Sequence, residues 1–571
     1  MKKLILLVLL LLILPIVFGE KQMKLLAVQE SENGNSGSIA DLYLETQDGE
    51  GRVFIDTYPL TKFDTQISTR YAQDIACDIL NEQCLDKDFI YTIKAGSVII
   101  AGPSAGAAIA ALTIAELLDL KVDQSVSVTG TINSGGLIGP VGGLKEKIEA
   151  AASNGLSKVL IPQRNETNKT NENISIDLVE YGKEIGIEVV VVYTINNVLL
   201  ELTGVSLSED KGEIEISSKY QSIMKKLAVD LCDRASLLKK EFDSLEKPEN
   251  EGYNSSESTL LIEIKNLLNK SEIAHSNEKY YSAASFCFGI NAKLAYLNAL
   301  KKNLSQEELK SKIEDMGKDI ENIENEINNI KKITISDLEA FAAVRERVIE
   351  AKAVIEEAKK NETEIDIYQT IYAGERIYSA KSWQSFFDFG GKKIDLSKES
   401  LRSSCLKKVE EADERYQYVK YITSIDLLDT QKGIQRALQD LENGEYELCL
   451  FKASKAKAET DVILNLIGVN QDRVEVIADR KLQVVKNEII TEIQEGSYPI
   501  IGSSYYEYAK VLQEQEDYNS ALIYAEYALE LSNIGMYFEK ENSDNMAFAI
   551  SSAIIIGIVA LGFLLINPKD K

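Results

Sequence analysis

The chain has a single histidine, His275, in 571 residues, and it lies beyond residue 205, outside the α/β-patterned segment. A Ser–His–Asp or Cys–His centre within that segment would have to borrow it. Zinc sites built on several histidines are excluded. The six cysteines contain no C-x-x-C pair, which removes the usual zinc and dithiol motifs. No G-x-x-x-x-G-K-[S/T] phosphate loop occurs either. The nearest stretch, GGKK at Gly390–Lys393, lacks both the spacing and the following hydroxyl residue. Basic charge is short: 63 Lys and Arg against 90 Asp and Glu leave a net charge of -27, the wrong sign for neutralising nucleic-acid phosphates. No cofactor, metal or nucleic-acid partner is expected.

Hydrophobic residues make up 45% of the chain and charged residues 27%, a balance that folds rather than stays disordered. The length exceeds what one core fills, so two or three domains are expected. The first 19 residues, a basic start and a long apolar run ending at Val17-Phe18-Gly19, read as a secretory signal cleaved near Gly19. Met546–Ile566 is an uncharged run long enough to cross a bilayer. Acidic residues precede it and Lys569 and Lys571 follow. This predicts a single-pass protein of the cell membrane, with its body extracytoplasmic and residues 567–571 as a cytoplasmic tail. Cys77 and Cys84 stand close enough to be bridged, and Cys232, Cys287, Cys405 and Cys449 are scattered over the helical part beyond residue 205. Sequons at Asn165, Asn168, Asn173, Asn254, Asn269, Asn303 and Asn361 permit glycosylation. Acidity, leader and sequons together fit an archaeal surface protein.

From residue 20 to 205 strand-like and helix-like segments alternate, predicting a compact α/β domain. KLLAVQ, SIADLYLET, GRVFIDTY, DFIYTI, SVSVTG, SKVLIP and IEVVVVY read as strands. TQISTRYAQDIACDIL, Ala105–Leu118, LKEKIEAAASNG and IDLVEYGKEIG read as helices. Beyond 205 the pattern is helical almost to residue 540. It divides into a coiled-coil region over 206–395 and a repeat-like region over 396–540. Leu309, Ile313, Met316, Ile320, Ile323, Ile327 and Ile330 alternate spacings of four and three, a coiled-coil seam, with 337–360 as its antiparallel partner. Three segments beginning near Tyr280, Tyr446 and Tyr518 share small residues at helical spacing, like the second halves of tetratricopeptide hairpins.

Ala101–Leu118, AGPSAGAAIAALTIAELL, sets Ser104 at the first turn of an apolar helix. A serine there is either a plain helix-start residue or a presented nucleophile. Downstream, Thr129–Ala151 reads TGTINSGGLIGPVGGLKEKIEAA. GPSAG followed by PVGGLKEKI resembles the proteolytic domain of the Lon peptidase family. The resemblance implies a Ser–Lys dyad of Ser104 and Lys147, which stand 43 positions apart as in that family, with Thr129 supporting the lysine. It covers about residues 23–205. A serine needs a base, and lysine serves only when burial pulls its pKa towards neutrality. Lys145, two residues from Lys147 on a helix, must face another way, so Lys147 can be inward and neutral while Lys145 is outward and charged. Backbone N–H groups at the helix start suit an oxyanion, and Gly102, Pro103, Ala105 and Gly106 let a substrate carbonyl approach.

Two departures from the family pattern stand out. No acidic residue precedes the serine, where Ala101, Gly102 and Pro103 stand, and no fused ATPase motif is present. The expectation is a membrane-anchored serine endopeptidase, independent of ATP, that cleaves unfolded or flexible segments. Its partners are protein or peptide substrates, and the helical half can gather copies into a ring as Lon domains often do. The alternative is a catalytically idle surface scaffold whose helical region binds a partner.

Overall fold

The computed structural model describes residues 20–538 except for 32–33, 59, 81–83, 85, 97–101, 164–176, 208–210, 246–254, 331, 361–364 and 424. Strands β1 (Lys21–Ser31) and β2 (Gly34–Asp48) form a long antiparallel hairpin. β4 (Lys87–Ala95) adds antiparallel to β2, and β3 (Val53–Tyr58) pairs parallel with β4, giving the order β1-β2-β4-β3. Helix α1 (Phe63–Ile79) crosses between β3 and β4. The central helix, α2 (Gly106–Leu117), is apolar on every side, and Gly106 to Ala115 are all buried, as a helix without a polar face requires.

A second, parallel sheet orders β5 (Val126–Val128), β8 (Lys158–Pro162) and β9 (Glu188–Val192). Between β5 and β8 come a small hairpin, β6 (Thr131–Asn133) with β7 (Leu137–Gly139), and helix α3 (Leu144–Ser153). Helices α4 (Leu178–Glu184) and α5 (Ile195–Thr203) flank β9. The hairpin and α5 are additions to the sequence reading. α5 opens with a capping box, in which Thr194 and Asn197 satisfy each other's backbone N–H groups.

The remainder is helical. α6 (Ser218–Ser244), α7 (Ser255–Ser276) and α8 (Tyr280–Lys301) pack together, and a Cys232–Cys287 disulfide ties α6 to α8. α9 (Gln306–Asn328) buries its seam, Leu309 through Ile327, against both α10 (Ile335–Lys360) and α11 (Ile367–Trp383). The seam therefore serves a three-helix packing rather than a two-stranded coiled coil. α12 (Lys398–Ile422), α13 (Leu428–Glu442) and α14 (Tyr446–Leu466) follow, then α15 (Val474–Gln494), α16 (Ile500–Glu514) and α17 (Tyr518–Ser532). α8, α14 and α17 are each the second helix of a hairpin. Each is entered through a left-handed residue two positions before its tyrosine: Glu278 at φ 58°, Gly444 at 78° and Glu516 at 62°.

The expectation of a transmembrane helix is corrected. Among the described residues no helix is long and apolar enough to cross a membrane. The most apolar, α2, has 12 residues. That is about 18 Å of helix, where a bilayer asks for about 20 residues. The longer helices carry charge along a solvent face. The run at 546–566, the leader at 1–19 and the tail at 567–571 lie outside the described residues. The membrane location, with its extracytoplasmic catalytic domain, rested on those runs and is withdrawn with them. Cys77 and Cys84 are disulfide-bonded, as are Cys405 and Cys449.

Candidate active site

Ser104 lies in the turn just before α2. Its carbonyl accepts the Gly130 N–H at 3.0 Å, which fixes the turn against the end of β5. Gly102, at φ 99°, donates its N–H to Asp64 Oδ2 of α1 at 3.1 Å. The family's acidic residue is missing from the serine loop, and here a carboxylate from another helix holds that loop instead.

α3 begins after Gly143, whose φ is 64°. A Cβ there would meet Val28 Cγ2 at 2.3 Å, so the position demands glycine on two counts. From this start, α3 buries Leu144, Lys147, Ile148 and Ala151 on one face. Lys145 turns outward, 3.8 Å from Glu149 and over the Tyr181 ring. Lys147 is 3% exposed, and its Nζ donates to Thr129 Oγ1 at 3.0 Å. Thr129, fully buried, donates a hydrogen bond from its hydroxyl to the Ser104 carbonyl at 3.4 Å. Burial pulls the Lys147 pKa down to about 8, against a smaller upward pull from Glu146.

Ser104 and Lys147 line one cavity of about 500 Å³. Gly102 and Pro103 line it as well. Ala105 and Gly106, also expected at the substrate approach, are not among its lining residues. The Gly106 N–H is taken by the Pro103 carbonyl at 3.1 Å, and a Cβ on Gly106 would press on the Ile132 backbone at 3.1 Å. Gly106 is small so that α2 can pack on β6.

The family model of the Lon protease (S16) C-terminal proteolytic domain matches residues 62–227. Over those residues the chain matches a Lon-type proteolytic domain. The archaeal Lon protease of Archaeoglobus fulgidus is 36% identical over 124 residues, 22% of this chain and 18% of the relative. That of Methanothermobacter thermautotrophicus is 36% identical over 135 residues, covering 23% and 19%. The Lon protease of Clostridium beijerinckii is 36% identical over 124 residues, covering 21% and 14%. The chain thus spans less than a fifth of the length of these relatives. The match starts at α1 and runs into α6, whereas the Lon-type region's own sheet begins at Lys21.

Residues beyond the match complete the site. Tyr418 and Ile422 of α12, Leu464 of α14 and Ile467 just after it line the same cavity. They had no local signal in sequence. His275 is exposed on α7 and packs edge-on against Tyr280, consistent with an ordinary surface residue.

Proposed function

We propose that the chain is a serine endopeptidase in which Ser104 is the nucleophile and Lys147 the general base, within a peptidase unit spanning residues 20–205. The carrying observation is the buried Lys147 amine, hydrogen-bonded to a hydroxyl rather than a carboxylate, in the cavity that Ser104 lines. Neutral Lys147 takes the Ser104 proton as Oγ attacks the scissile carbonyl carbon. The C–N bond then breaks, and the leaving amine takes that proton from Lys147. A water, deprotonated by the Lys147 amine, then attacks the acyl ester; the ester C–O bond breaks, Ser104 Oγ takes that proton back from Lys147, and the carboxylate is released. Thr129 holds the Lys147 amine in place throughout.

No phosphate-loop motif stands in the sequence, so cleavage proceeds without ATP. Without an unfolding motor, the enclosed site reaches only unfolded or flexible segments. The test is hydrolysis of unfolded casein by the full chain without ATP, beside Ser104→Ala and Lys147→Ala. The expected result is activity in the parent and none in either variant. Equal activity in all three would move the chemistry elsewhere. Inactivity in all three, with no Ser104-dependent adduct from a serine-reactive probe, would favour the idle scaffold.

A further inference from the structure

The Lon-type region supplies Ser104 and Lys147 but does not enclose the cleft by itself. One wall is Tyr418, Ile422, Leu464 and Ile467, all from the helical half. Lys147 is the only charged side chain among the described residues that line the cavity, and no carboxylate faces into it. The wall is held firmly. α12 and α14 run parallel, joined by Cys405–Cys449 and then by Arg415 Nε to Asp461 Oδ1 at 3.8 Å. Arg415, 1% exposed, also sits 3.5 Å over the Tyr71 ring and 3.3 Å from Asp74, both on α1. Tyr71 in turn donates its hydroxyl to Asp461. Tyr418 and Leu464 each come three residues after a member of this cluster and so lie one turn further along the same faces. At the rim, a Cβ on Gly468 would lie 3.3 Å from Pro140, so the loop after α14 already abuts the Lon-type region.

Resting on the peptidase reading, we infer that this wall is the substrate-selecting face of the site. It receives an apolar side chain of an extended peptide beside the bond that Ser104 attacks, and it refuses acidic and basic ones. The cavity has room for a large side chain, and an apolar one replaces water against Ile422, Leu464 and Ile467. A basic side chain would lose its hydration there with no carboxylate among the lining residues, and an acidic one would meet only the Lys147 amine, whose neutral form the reaction needs and which an adjacent carboxylate would hold charged. Selectivity thus belongs to the helical half and the bond-breaking groups to the Lon-type half.

The experiment uses the full chain and internally quenched peptides that differ only at one position, carrying leucine, phenylalanine, glutamate or lysine. Rates are normalised to Ser104 titrated with a small fluorophosphonate. The leucine and phenylalanine peptides are expected to exceed the glutamate peptide in kcat/KM by about 10-fold or more. Ile422→Lys and Ile467→Lys sit at helix ends, where the new charge reaches the cleft mouth. Each is expected to lower the leucine-to-glutamate ratio by about 10-fold, mainly through KM. Ile467→Ala, a milder change, is expected to raise the phenylalanine-to-leucine ratio. Ratios unchanged within twofold in all three variants would overturn the inference alone. A parent chain that titrates at Ser104 but cleaves no peptide would overturn it too, since the cleft would then be closed to substrate. A parent chain that neither titrates nor cleaves would overturn the peptidase reading itself, and this inference with it.

Discussion

Lys147 in the Lon-type half and Lys457 in the helical half are 3% and 2% exposed. Around Lys457 stand Glu530 at 3.0 Å, Glu411 at 3.4 Å and Asp78 at 3.7 Å. Burial works against its charge, but these carboxylates more than offset it, and its pKa rises well above that of ordinary lysine. Lys147 meets a threonine hydroxyl instead, and the same burial pulls its pKa down to about 8. Burial alone does not set the direction of a lysine's pKa. The presence or lack of carboxylate partners does. The contrast extends to neighbouring cations of the helical half. Lys408 pairs with Glu530 at 3.0 Å, and Lys481 with Glu526 at 2.6 Å. Those pairs also fasten the two halves together: Lys481 donates to the Ser134 carbonyl at 2.6 Å, and Ser134 to Glu526 at 3.0 Å. One half spends its buried charge on cohesion, and the other keeps the Lys147 amine without a carboxylate partner, as the proposed chemistry requires.

Exchanging the roles should break this contrast. The largest expected effect is on turnover. Lys147→Met or Ser104→Ala should reduce kcat/KM by about 10³-fold or more, read by peptide hydrolysis. Next, Glu530→Ala removes one of the two carboxylates, Glu530 and Glu411, that Lys408 and Lys457 share. Chemical denaturation should report a loss of about 3–5 kcal/mol, as for other broken buried pairs. Lys147→Met should have the opposite sign. In the folded chain Lys147 titrates near 8, against about 10.5 unfolded, so the folded state binds fewer protons between those values. Stability therefore rises with pH through that window, and below about pH 8 the full cost of charging a buried amine is present. Removing the amine should stabilise the fold at pH 7 by about 3 kcal/mol or somewhat less, and by little above pH 10.5. The smallest effect is expected from Lys145→Gln. Its exposed pairing with Glu149 should contribute under about 0.5 kcal/mol, and turnover should not change.

Ser104, Lys147 and Thr129 could be proposed from sequence because GPSAG, TG and PVGGLKEKI together resemble a known family, and the structure sets Ser104 and Lys147 on one cavity with Thr129 against the lysine. That Lys145 and Lys147 face different ways followed from helical geometry, while the choice of Lys147 as the inward one came with the resemblance. Asp64 was not legible, because its link to Gly102 joins two elements separated by a strand and a loop. Tyr418, Ile422, Leu464 and Ile467 were less so: they are ordinary apolar helix positions that acquire meaning only when α12 and α14 dock on α1. The β6–β7 hairpin escaped notice since three-residue strands show no period, while α5 carried a readable capping signal at Thr194–Asn197. Read one residue at a time, Gly106 looked like an approach for substrate. Its packing on Ile132 depends on a partner that sequence did not place.

The central claim is that a neutral Lys147 activates Ser104. The rate of Ser104 acylation by a small activated ester, followed from pH 6 to pH 11 and corrected with Ser104→Ala, tests it most directly. The account predicts a rate that rises about tenfold per pH unit at the acid end and levels off with a midpoint near 8. A midpoint near 10.5, or labelling that persists in Ser104→Ala, would contradict it.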